Sequence, residues 1–136
     1  MISPRRLTLL IVPIAALSVP VHPAHAFDMT GAWATDTAAC ERLFVRKGKS
    51  FAFRPEFDVS GGGFIVDGPS IKGRTINCTI KQRHENGPTL HLLASCASDV
   101  MLSDVQFSVK IVNENRLTRI FPGLEGVEIS YDRCAF

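Results

Sequence analysis

Four residues of one stretch, His84, His91, Ser95 and Asp99, carry side chains of the kinds that hydrolases assemble into nucleophile, base and acid. Their setting argues against such an assembly. Asn86-Gly87-Pro88 marks a turn, which leaves His84 beside it. The apolar alternation Leu90, Leu92, Ala94, Cys96 puts His91 on the other, wet face of a strand. Imidazoles at such positions face solvent, so no catalytic residue is expected; an enzyme or redox accessory built on His84–Asp99 is the competing reading. Gly61-Gly62-Gly63 leads into Phe64-Ile65-Val66, which reads as a strand. It therefore lacks the helix N-terminus that a phosphate cradle needs and is expected to be a turn.

The four cysteines, Cys40, Cys78, Cys96 and Cys134, contain no CxxC spacing of the kind that zinc sites and redox-active disulfides use. No metal or other cofactor is expected, and the thiols are expected to pair. Strand register selects the pairing. With a hairpin centred on Gly87, Cys78 lies opposite Cys96, Ile80 opposite Ala94 and Gln82 opposite Leu92. The faces Ile76, Cys78, Ile80 and Leu90, Leu92, Ala94, Cys96 then agree with one register. Cys40 is left to Cys134, a bond that ties an early element to the last strand.

Disulfides require an oxidising compartment, and the N-terminus supplies the route. Arg5 and Arg6 precede the apolar run Leu7–Val19, and Ala24-His25-Ala26 has small residues at the positions a signal peptidase reads. Residues 1–26 are thus expected to be a cleaved signal, and 27–136 a single disulfide-stabilised domain. The run is interrupted by Pro13 and falls short of the roughly 20 apolar residues that span a bilayer. No later segment is long and apolar enough to do so, and the mature protein is expected to be soluble, in the periplasm or secreted. Two of the fifteen basic residues lie before the cut, leaving thirteen against thirteen acidic ones. The mature domain is neutral overall, which gives no reason to expect nucleic acid as a partner.

The elements that must position these groups are short and punctuated by Gly, Pro and Asn. Val105, Phe107, Val109 and Ile111 alternate with polar residues, as do Val127, Ile129 and Tyr131. Phe51, Phe53, Pro55 and Phe57 read as an edge strand. Ala39, Cys40, Leu43 and Phe44 instead share one helical stripe, capped by Asp36 or Thr37. The expected fold is all-β: a small antiparallel up-and-down barrel of seven or eight strands with one short N-terminal helix, a β-sandwich being the alternative. At this length the barrel interior is expected to be filled by side chains.

Gly31-Ala32-Trp33 at the head of the first strand resembles the Gly-x-Trp of calycin-type barrels: lipocalins, avidins and small periplasmic inhibitors of metalloproteases. The resemblance implies that Trp33 closes one barrel end against an arginine from a late strand. Arg119 is the choice over Arg133. A hairpin centred on Glu114 sets Val109 opposite Arg119, on the apolar face, where a guanidinium needs a partner. Only Phe27-Asp28-Met29-Thr30 precedes Gly31, too short for the arm with which the inhibitors of this group enter a protease.

Charge is unevenly spread. Arg42, Arg46, Lys47, Lys49 and Arg54 lie between Glu41 and Glu56 with no acid among them, a possible contact face for an anionic partner. The function expected from all this is an exported, non-enzymatic binding module. It would inhibit a hydrolase or bind an envelope component, protein or anionic polysaccharide; a structural envelope protein is the third class.

Overall fold

The computed structural model describes residues 18–21, 25–55 and 62–136. Most of the predicted signal, Phe57 of the expected edge strand and Gly61 lie outside the described residues. Eight antiparallel strands close into a barrel in the order β1-β10-β9-β8-β7-β6-β5-β4. They are β1 (Gly31–Ala34), β4 (Gly63–Asp67), β5 (Ser70–Lys72), β6 (Ile76–Asn86), β7 (Thr89–Ser98), β8 (Leu102–Asn113), β9 (Arg116–Ile120) and β10 (Glu128–Arg133). Each neighbour from β4 to β10 is next in sequence, so this part is an up-and-down meander, and β1 seals the seam between β10 and β4.

Between β1 and β4 the chain leaves the barrel. This excursion holds a 3-10 turn over Thr37–Ala39, helix α1 (Cys40–Leu43), and a separate hairpin of β2 (Phe44–Lys47) and β3 (Ser50–Phe53). Asp36 caps it, its Oδ1 accepting from the Ala38 amide at 2.9 Å. The stripe Ala39, Cys40, Leu43, Phe44 is buried as expected. It packs on the outer face of β1 and β4, against Ala32, Ala34 and Ile65. Gly63 allows this approach: a Cβ there would meet Phe44 at 2.8 Å and the Trp33 carbonyl at 2.7 Å. The expected edge strand ends at Phe53, and among the described residues it pairs only with β2.

The barrel interior forms the larger core, around Trp33, Val66, Leu90, Leu92, Ala94, Val109 and Leu117. Cys78 and Cys96 face inward as a directly opposed pair and are bonded; Cys40 is bonded to Cys134. Two hairpins carry one extra residue each. In β6, Lys81 is bulged out, so Ile80 pairs with Ala94 but Gln82 pairs with Leu93, where Leu92 was expected. In β8, Val112 is bulged in the same manner before the turn to β9. Both turns have two residues, and each bulge restores the register that carries the buried face.

Among the described residues, no helix is long and apolar enough to cross a membrane.

Candidate functional site

One end of the barrel is plugged. Trp33 is fully buried, its indole N–H donating to the Met29 carbonyl at 2.8 Å. Phe64 stacks on it with ring centroids 6.3 Å apart, and Phe27 tilts against it at 6.5 Å. The cation over the indole is Arg133, its guanidinium carbon 4.3 Å from the ring centroid. This corrects the assignment of Arg119. Arg133 is the direct cross-strand neighbour of Trp33, whereas Arg119 faces Ile129, four residues and roughly 13 Å away along β10 at about 3.3 Å per residue.

The guanidinium of Arg133 also ties together the segment before β1 and the β8–β9 turn. Its Nε and one terminal nitrogen donate to the Glu114 carbonyl at 3.1 and 3.0 Å. The same terminal nitrogen donates to the Asp28 carbonyl at 2.8 Å, and the other reaches the Thr30 carbonyl. Partial burial pulls the Arg133 pKa below its ordinary value, and the charges of Asp28 and Glu114 counter that pull. Asp28 is held below the usual carboxylate range, chiefly by hydrogen bonding to the Thr30 amide. Arg83 pins the Phe27 carbonyl at 2.5 Å. Residues 27–30 are therefore fastened to the barrel end.

The interior beyond this plug is not completely filled, which departs from the expectation of a packed interior. A cavity of about 180 Å³ is walled by Phe64, Ile71, Leu92, Val109 and Leu117. Arg119, half-buried, is the one charged residue among the described residues of its lining. Its guanidinium is sandwiched between the rings of Phe107 and Phe121, at 4.8 and 4.7 Å. The guanidinium expected to meet the Trp33 indole and nearby carbonyls meets these two rings instead. Flanking it on the ladder are Val109 and Ile129, both aliphatic. Tyr131 completes this region, its ring edge-on to Phe64 at 4.9 Å.

The residues considered for catalysis do not converge. His91 shares a 2.8 Å hydrogen bond between its Nδ1 and Ser108 Oγ, and its ring lies 6.4 Å from that of His84. Ser95 donates instead to Asp104 at 2.8 Å, four positions along β7 from His91. Asp99 sits in the exposed turn that follows β7. Ser108, the hydroxyl nearest an imidazole, is 1% exposed, beneath the outer face and out of a substrate's reach. Among the described residues no group of His, Cys, Asp and Glu could hold a metal ion.

The five basic residues all fall on the excursion. Arg42, Arg46, Lys47, Lys49 and Arg54 are exposed. Arg46 donates to the Gly48 carbonyl at 3.0 Å and lies 5.8 Å from the centre of the Phe51 ring; Arg54 donates to the Glu41 carbonyl at 2.6 Å. These contacts fix the hairpin and leave the positive charge at the surface. The ion pairs Arg83–Glu85 and Arg116–Asp132 are on barrel strands.

Sequence reasoning weighed Arg133 and set it second to Arg119. The signal for it was the Cys40–Cys134 bond itself. A cysteine that pairs with the outer excursion must face outward, so the residue before it faces inward, beside Trp33. Compared with family models, with characterised proteins and with solved structures, the chain shows no significant match.

Proposed function

We propose that the mature chain is an exported, non-enzymatic binding protein whose ligand enters the barrel interior. The observation that carries this reading is the apolar cavity of about 180 Å³, walled by Phe64, Leu92, Val109 and Leu117 and holding one charged side chain, Arg119, in its lining. An engineered cavity of about 150 Å³ accepts benzene, so the space suits the body of a small organic molecule. Export is supported by the two disulfides and by the contact pattern. Phe27, the residue after the expected cut, packs on the Trp33 ring. The periplasm or the extracellular space is the proposed location.

The calycin-like reading of Gly31-Ala32-Trp33 draws support from the arginine stacked on the indole. The form of that reading in which an N-terminal arm inhibits a protease gains none, because residues 27–30 are fastened by Arg83 and Arg133. A second reading rests on the exposed cations of the excursion, which suit an anionic envelope polysaccharide.

Titration of the isotope-labelled mature protein with indole, followed by methyl resonances, tests the cavity reading. Saturable shifts at Leu92, Val109 and Leu117 are expected. Their absence, with shifts confined to the excursion on adding a polyanion, would favour the second reading.

A further inference from the structure

Among the described residues Arg119 has no anionic partner. Its guanidinium carries five N–H donors in a planar fork, yet among the described residues it donates no hydrogen bond and joins no ion pair. Its contacts are the two ring faces of Phe107 and Phe121. Contrast Arg133, which satisfies its donors with the carbonyls of Asp28, Thr30 and Glu114. Both arginines face inward and both are held by aromatic rings, but only one is finished by the protein.

Placement makes this asymmetry informative. Arg119 is half-buried in the cavity wall, with Val109 and Ile129 as strand neighbours. A cation on an inward-facing, apolar position is costly unless something compensates it. Ring faces compensate part of that cost and hold the guanidinium plane in place, which leaves its edge donors free for a planar anion. Carboxylates match that edge with two parallel hydrogen bonds. The Tyr131 hydroxyl is the other polar side-chain group at the cavity and makes no hydrogen bond among the described residues.

We infer that the barrel binds a small apolar carboxylic acid, its carboxylate on the edge of Arg119 and its hydrocarbon body in the cavity toward Leu92 and Leu117. This rests on the reading of the cavity as the binding site and adds the chemical class of the occupant. The cavity volume of about 180 Å³ sets the size. A body of about six to ten carbon atoms fits the space, given that about 150 Å³ takes up one benzene.

Matched probes separate the two claims. 4-Phenylbutanoate and 4-phenylbutan-1-ol share one body and differ in charge. Calorimetric titration of each into the mature protein at pH 7 is expected to show the acid binding at least tenfold tighter. In Arg119→Gln the acid should fall to the level of the alcohol, and in Arg119→Lys part of the preference should return, because charge survives while the fork is lost. Unchanged circular dichroism and thermal midpoint in both variants certify that the fold is intact. Equal binding of acid and alcohol, insensitive to Arg119, would overturn the inference and leave the cavity reading standing. Binding of neither probe would overturn both.

Discussion

Arg133 stands directly across the ladder from Trp33, with its guanidinium carbon 4.3 Å from the indole centroid, and three backbone carbonyls fix it there. The pair joins the last strand to the first, which is where a meander must be sealed to become a barrel. Arg133→Ala is therefore expected to destabilise the protein by about 2–4 kcal/mol, from the lost charge-assisted hydrogen bonds and cation–π contact. It should also change Trp33 fluorescence. Arg119→Ala should cost less, about 0.5–2 kcal/mol, since it loses cation–π contacts but breaks no hydrogen bond. Urea unfolding of both variants checks this, and the reverse ranking would refute the assignment of the plug.

Gly31 belongs to the same device. Its φ of +140° is a conformation that L side chains rarely adopt, and an added Cβ would lie 3.2 Å from a guanidinium nitrogen of Arg133. Gly31→Ala is expected to cost about 1–3 kcal/mol, mostly as backbone strain. Combined with Arg133→Ala the cost should be less than additive, because the steric share disappears with the guanidinium. A double-mutant cycle by chemical denaturation measures this; strict additivity would mean the two residues do not interact.

Removing the disulfides should have unequal effects. The Cys40–Cys134 bond closes a separation of 94 residues and the Cys78–Cys96 bond one of 18. Chain-entropy arguments give about 4–5 and about 3 kcal/mol. Replacing Cys40 and Cys134 by Ala should also free the excursion, exposing the amides of Cys40–Phe44 to hydrogen exchange while β7 and β8 stay protected. Exchange followed by mass spectrometry reads this directly. Uniform loss of protection would show that the excursion and barrel unfold as one unit.

Asp28 gives a pH dependence with a definite sign. Its folded-state pKa is depressed, by hydrogen bonding to Thr30 first and by Arg133 and Arg83 after that. Its stabilising contribution is thus complete above the unfolded-state value near 4 and fades as pH falls through the lower folded value. The stability of Asp28→Asn should depend less steeply on pH below about 4 than that of the wild type. Equal slopes in thermal melts across that range would contradict this.

Much of the barrel was legible because its hairpins are local. Alternation in β7 and β8 and the turn at Gly87 were enough to place Cys78 opposite Cys96. The turn was nevertheless centred half a residue too early, and the bulge at Lys81 cancelled that error by the time the ladder reached the cysteines. A bulge leaves little trace in an alternating pattern when the residue it adds is polar and exposed. Val127 and Ile129, which alternate well in sequence, remain 47% and 36% exposed; alternation reports a face, and burial also needs something to cover it. The plug was the hardest part to read, since Trp33 and Arg133 are a hundred residues apart in the chain and meet only when the barrel closes. The cavity has no sequence signature, because a wall of Ile, Leu and Val looks the same whether or not the space it encloses is full.

Recognition inside the barrel is the central claim, and the most direct measurement is a structure of the mature protein with 4-phenylbutanoate bound. The account predicts the carboxylate oxygens about 2.7–2.9 Å from the edge nitrogens of Arg119, with the phenyl ring inside the barrel against Leu92 and Leu117. An empty interior at saturating probe, or a probe seated on the excursion among Arg42, Arg46 and Lys47, would contradict it.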